Sequence, residues 1–295
     1  MIMLLNIFKA IIEFEAFRNA FVAAIVIGII SPLIGSVVVI RRLSNIADTL
    51  SHFSLAGVVI GVFISKLINL PFSPIFMGII FSIGGTFLVE KIRNFYKNYK
   101  ELSMAIIISL GVSLSGLFIS ITTGVTTSYT TGLLFGSILS VGKTDLILIL
   151  FFAISIFIFI GFYYKQIITL CFDETYARIS GISVKALQLL ITIILALAIS
   201  IFIELVGVLL ISALLIIPVA SSILVGKSFK GTIIFAIIIS LLSILCGFTV
   251  SFYLKLPLGS TIAMANIFVL FIIFLIVKLK NSRYKKKKIK DEITV

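Results

Sequence analysis

Asp48 and His52 are the two side chains in this sequence best suited to hold a metal ion. They lie four residues apart in an apolar stretch, and His52 is the only histidine among 295 residues. On a helix that spacing puts both on one face with Cβ atoms about 5–6 Å apart, so one cation can bridge them. Carboxylate oxygen with neutral imidazole nitrogen is a borderline ligand pair, better suited to Zn²⁺, Mn²⁺ or Fe²⁺ than to Ca²⁺ or Mg²⁺. Two ligands fall short of the four that a structural zinc site takes, and a site that must pass its ion on needs weaker holding. Alternatively the two side chains pair with each other, or Asp48 sits near a membrane surface.

Other groups offer less chemistry. Glu204 precedes Leu205-Val206-Gly207 at an outer turn; it either guards the mouth of a path, pairs with an outer lysine, or is an exposed capping glutamate. Ser51 adjoins His52 but points about 100° away on a helix, and Ser137 has no base beside it in sequence, so a hydrolase is a poor fit. The chain has no Gly-x-x-x-x-Gly-Lys-Ser/Thr loop, so ATP hydrolysis would belong to a partner and the chain itself is expected not to be an enzyme. Cys171 and Cys246 lie too far apart in sequence to suggest a disulfide framework or a thiolate cluster. In the segment 165–185, Asp173, Glu174 and Arg178 alternate with Phe172, Tyr176, Ala177 and Ile179, and Gly181 follows as a helix stop. That pattern predicts a short amphipathic helix on the cytoplasmic face, whether it docks a partner or is simply solvated.

The elements that must position these groups are set by hydropathy. Apolar residues make up 61% of the chain and charged ones 12%, with a mean hydropathy of +1.32, which excludes an ordinary soluble domain. The apolar runs are too long and too uniform for a barrel, whose strands show about 10 residues of alternating polarity. The expected fold is all-α, a polytopic bundle of eight or nine spans at 19–40, 44–65, 73–92, 102–121, 144–163, 185–205, 207–226, 231–253 and 259–279. Residues 1–17 are expected to form an interfacial helix, 18–280 the transmembrane unit and 281–295 a basic cytoplasmic tail. The formal charge of +13 does not indicate nucleic acid, because eight basic residues sit between Lys278 and Lys290, at the end of the last span and in that tail, where they suit anionic lipid. Arg41-Arg42, then Lys91, Arg93, Lys97 and Lys100, then Lys227 and Lys230, and finally the tail should face the cytoplasm of a cell membrane. Alternation then requires residues 122–143, with their apolar piece 132–141, to form an outer hairpin or re-entrant segment. His52, counted at about 1.5 Å per residue from Arg42, falls about 15 Å deep, near the midplane. Pro32 and Pro218, flanked by Gly28, Gly35, Gly207 and Gly226, mark either kinked helices lining a cavity or close packing through small residues.

Several of these segments resemble the ABC-3 permeases, the membrane subunits of zinc- and manganese-type ABC importers. Pro32-Leu33-Ile34-Gly35-Ser36 and Arg41-Arg42-Leu43-Ser44-Asn45-Ile46-Ala47-Asp48-Thr49-Leu50-Ser51-His52 look like the hallmark of that family. So does the run 204–218, from Glu204 through Gly207 to Pro218, with Leu134-Phe135-Gly136-Ser137-Ile138-Leu139 and the 173–181 loop in the expected order. The resemblance implies that Asp48 and His52 coordinate the passing metal. It also implies that the 173–181 helix, through Asp173, Glu174, Tyr176, Ala177 and Gly181, docks into a cytoplasmic ATPase. Further implied are an extracytoplasmic metal-binding protein, a permease homodimer, and a metal carried as cargo with no permanently bound cofactor. A gradient-driven secondary transporter is the alternative, although further buried acids and internal repeats are missing; a permease for a metal chelate or siderophore is another. Phe53-Ser54 and Ser221-Ser222 depart from the family pattern and leave the choice of metal open.

Overall fold

The computed structural model describes residues 13–68, 73–96, 99–122, 126–136 and 141–293, with backbone alone at 100, 127–128, 204–205 and 281–293. The described residues form twelve helices: α1 Glu15–Ile40, α2 Ser44–Ile68, α3 Ile75–Phe95, α4 Lys100–Ile121, α5 Thr127–Phe135, α6 Lys143–Phe162, α7 Tyr164–Phe172, α8 Glu174–Ile179, α9 Val184–Val206, α10 Val208–Ile223, α11 Phe229–Leu254 and α12 Leu258–Ile293. Eight of them are long and apolar enough to cross a bilayer. The ninth expected span, 207–226, is shorter: α10 holds 16 residues, about 24 Å against a hydrocarbon core of about 30 Å. Its limits are set by glycines. Gly207 takes φ +78°, which breaks the rod between α9 and α10, and the Gly226 amide donates to the Ser222 carbonyl at 2.7 Å to close the far end.

α1 is the most enclosed of the long helices. Its Gly28 faces Ser240 and Ile244 of α11, and a Cβ on Gly35 would collide with the Leu215 backbone of α10. Pro32 lies between them without ending the helix, and the Ser36 hydroxyl donates to its carbonyl at 2.7 Å. Of the two readings of these small residues, close packing is what α1 displays. Edge-on aromatic pairs, Phe17 and Phe21 against Phe248 at 6.0 and 5.2 Å, extend the same α1–α11 contact. Ile27, Leu50, Ile199, Leu210 and Phe248 fill the centre.

The ends of the bundle sort by charge. Arg41, Glu90, Arg93, Glu174, Lys185 and Gln188 line one cavity of about 430 Å³, which places the ends of α1 and α3 and the start of α9 together, as loop alternation requires. At the opposite end Gly207 abuts the Leu134 and Gly136 backbone, and Gly259 abuts Phe135. The segment between α4 and α6 carries the nine-residue α5, capped by Thr126 and stopped at Gly136 with φ +79°. It is therefore a short outer piece, centred earlier than 132–141; residues 137–140 lie outside the described residues. The 165–185 loop holds two helices where one was expected: α7 continues from α6, and Asp173 starts α8 by accepting from the Tyr176 amide at 2.9 Å. α1 begins at Glu15 instead of 19, and the expected interfacial helix lies largely in 1–12, outside the described residues.

Candidate functional site

α2 carries Asp48 and His52, the candidate metal-ligand pair. Ile46, Ala47, Thr49, Leu50, Ser51 and Phe53 are buried, whereas Asn45, Asp48 and His52 keep exposure at i, i+3 and i+7, one face of the helix. Both candidate ligands thus open onto a common face of an otherwise enclosed helix. His52 stands eight residues into a 25-residue helix, about 12 Å from its start, so it lies in the half nearer the basic end and not at the middle. Ser51 is sealed in the core with its hydroxyl donating to the Ala47 carbonyl at 2.8 Å, which removes it as a nucleophile.

Asp48 does not hydrogen-bond to His52. Its Oδ1 accepts from the Ser212 hydroxyl of α10 at 2.8 Å, a contact across 164 positions of sequence. α10 presents its own open stripe, Leu209, Ser212, Ala213, Ile216, Ile217 and Ala220, beside buried Leu210, Ile211, Leu214 and Leu215. The open faces of α2 and α10 therefore adjoin at the carboxylate. No third His, Cys, Asp or Glu joins the pair among the described residues. Glu204 belongs to α9, but its side chain lies outside the described residues, so its expected role at the mouth has no geometry here.

Two backbone features hold this geometry. Gly111 of α4 presses on α2 at the histidine: a Cβ there would lie 2.9 Å from the His52 carbonyl carbon and oxygen. The turn from α1 into α2 is a double-hydrogen-bonded stop, in which the Leu43 amide donates to Val38 at 2.8 Å and the Arg42 amide to Val39 at 2.9 Å. Arg42 occupies the left-handed position, φ +57°, where glycine is usual.

Arg41, beside it, connects the ligand helix to the short helix α8. Its guanidinium, 14% exposed, donates to the Leu170 carbonyl at 3.0 Å, to Glu174 Oε2 at 3.2 and 3.3 Å, and to Gln188 Oε1 at 3.1 Å. One planar fork thereby ties the α1–α2 turn to α7, α8 and α9. Ala177 is buried while Phe172, Tyr176 and Ile179 are 69%, 61% and 80% exposed, so α8 stands on the bundle by one face and offers an aromatic and aliphatic face outward. Gly181 ends it with φ +81°. Burial pushes the Cys171 thiol up to about 11 against the opposing pull of Arg41, so it stays protonated and unreactive at neutral pH.

Ser212, Gly111 and the clamp made by Arg41 are the contributors that spacing did not single out. Ser212 left one signal, a lone hydroxyl in an apolar run. The other two depend on which helices touch, which a single sequence does not encode.

A polytopic helical bundle with Asp48 and His52 on one open helix face inside it, and a small exposed amphipathic helix clamped beneath that face, fits a transport permease. The chain belongs to the ABC 3 transport family, whose model matches residues 13–278. It is 31% identical to a probable metal transport system membrane protein of Treponema pallidum, over 92% of this chain and 99% of that one. It is 26% identical to a manganese transport system membrane protein of Listeria monocytogenes, over 95% of this chain and 97% of that one. Its fold matches PsaBC from Streptococcus pneumoniae in complex with Fab, with a TM-score of 0.81, 24% identity and coverage of 92% of this chain and 95% of that one.

Proposed function

We propose that this chain is the membrane-spanning permease subunit of an ATP-driven importer for a divalent transition metal, Mn²⁺ or Zn²⁺ and secondarily Fe²⁺, with Asp48 and His52 as the ligands that receive the ion within the membrane. The carrying observation is that these two side chains alone break the burial of α2 between Ile46 and Val59. An unpaired ionisable group in a bilayer is costly unless it serves a polar path. The relatives named for metal and manganese transport support the cargo class. The adjoining open faces of α2 and α10 suit a second copy of the chain, so the working unit is a homodimer with the path along those faces.

ATP is hydrolysed by separate cytoplasmic subunits that seat on the outward face of α8, through Glu174 and Tyr176, and an extracytoplasmic metal-binding protein delivers the ion. The C-terminus lies in the cytoplasm. The ion is cargo, bound and released in each cycle. The test is uptake of each metal, offered separately, by cells carrying Asp48→Asn or His52→Ala at matched membrane levels. Uptake should fall by at least about tenfold in each, the scale on which loss of one metal partner acts. Undiminished uptake in both variants removes the ion site and favours a chelate as cargo.

A further inference from the structure

Ser212 is placed in a way that packing alone does not explain. Serine in an apolar helix usually returns its proton to the carbonyl one turn back. Ser36, Ser51, Ser200 and Ser221 all do so here, at 2.7, 2.8, 2.9 and 2.9 Å. Ser212 turns away from its own helix and donates to Asp48 Oδ1 at 2.8 Å instead. It is also the one polar side chain on the open stripe formed with Leu209, Ala213, Ile216, Ile217 and Ala220, and its partner is the carboxylate assigned to the ion. A hydroxyl has one proton to give and two lone pairs to offer.

We propose that Ser212 is a specificity-determining residue of the path: a neutral third oxygen that completes the Asp48–His52 pair around the ion and biases it toward Mn²⁺ over Zn²⁺. This rests on the assignment of Asp48 and His52 as ion ligands. The hydroxyl donates to the carboxylate and orients it, which leaves the second carboxylate oxygen to meet the incoming ion. When the dication binds, the carboxylate turns its charge to the metal, and rotation about the serine Cβ–Oγ bond aims a lone pair the same way. Neutral oxygen ligands suit Mn²⁺, whereas imidazole and sulfur ligands suit Zn²⁺. Removing the oxygen therefore takes more from Mn²⁺ than from Zn²⁺, and sulfur in its place reverses the bias.

The experiment is simultaneous uptake of radiolabelled Mn²⁺ and Zn²⁺ by cells lacking other importers and supplied with the complete transporter. The permease is parental, Ser212→Ala, Ser212→Cys, Ser212→Thr or Asp48→Asn. The Mn²⁺ to Zn²⁺ ratio within one culture does not depend on how much permease is present. The expected result is a ratio lowered about tenfold in Ser212→Ala, lower still in Ser212→Cys, and unchanged in Ser212→Thr. If Ser212→Ala does not reach the membrane, Ser212→Cys against Ser212→Thr, which keep a polar side chain of similar size, decides alone. An unaltered ratio in the alanine and cysteine variants, including equal loss of both metals, overturns the inference while abolished uptake in Asp48→Asn leaves the ion site standing. Normal uptake in Asp48→Asn overturns both.

Discussion

A glycine with no chemistry of its own governs where the imidazole stands. Gly111 lets α4 lie against the peptide unit of His52, and any Cβ there would press within 2.9 Å of backbone atoms that no rotamer change can move aside. Something has to shift by several tenths of an ångström, and the movable partner is α2 itself. Overpacking of this kind costs about 1–3 kcal/mol, but the larger effect should be on transport, because ligand geometry tolerates little displacement. Gly111→Ala is expected to lower metal uptake by about tenfold or more while the protein still inserts into the membrane. Thermal unfolding in detergent should show only a modest decrease. Uptake equal to the parent's would mean that α2 yields elsewhere and that the contact does not set the position of His52. Asp48 and His52 stand out as candidates in the sequence because an aspartate and a lone histidine four residues apart in an apolar run are rare and costly. Gly111 does not, since one glycine among 20 looks like any other until the helix it touches is known.

At the scale of elements, the informative arrangement is the short path from α8 to the ligands. α8 is six residues long, too short to be stable alone, and it is held by the buried Ala177, by the Asp173 cap and by Arg41 reaching Glu174. Asp48 stands four residues beyond Ser44, the start of α2, about 6 Å of helical rise, and the turn 41–43 joins that start to Arg41. If an ATPase seats on α8 as proposed, its push would reach the α1–α2 turn through a planar fork that makes two hydrogen bonds to Glu174 and one each to Leu170 and Gln188, in place of a flexible loop. Lysine cannot reproduce that fork. Arg41→Lys is expected to retain the fold and copurification of the proposed ATPase partner while weakening the link between ATP hydrolysis and uptake, read as metal ions imported per ATP falling several-fold. Arg41→Ala should do the same more severely, because it also leaves Glu174 and the Leu170 carbonyl without that donor. An unchanged ratio in the alanine variant would place the transmission elsewhere, for example through the Asp173 cap. Helix existence was well foreshadowed by hydropathy, and the amphipathic pattern found α8. The pattern did not reveal that α7 and α8 are separate helices, because Asp173 can cap a new helix or sit in a loop, and only its bond to the Tyr176 amide decides.

Across the whole molecule, charge and length predict an orientation. The basic residues that alternate between spans converge on one end, where Arg41, Arg93 and Lys185 share a cavity with Glu90 and Glu174, while the glycine contacts of α5, α9 and α12 gather at the other. α12 runs unbroken through Ile293, so the lysine-rich stretch continues a transmembrane rod for about 20 Å beyond Lys280 instead of beginning a separate tail. Such a cluster resists translocation and should hold that end in the cytoplasm. The α11–α12 turn must then face outward with Lys255, whose left-handed backbone, φ +54°, marks a tight reversal, and the α10–α11 turn must face inward with Lys227. Single cysteines placed at Lys255 and at Lys227, in a chain with Cys171 and Cys246 replaced by serine, separate the two sides. A membrane-impermeant maleimide added to intact cells should label Lys255→Cys and spare Lys227→Cys, and opening the membrane should make the second reactive. Labelling in the reverse order would invert the molecule. It would put α8 on the outside, out of reach of the proposed cytoplasmic ATPase, and would overturn the proposed route from α8 through Arg41 to Asp48.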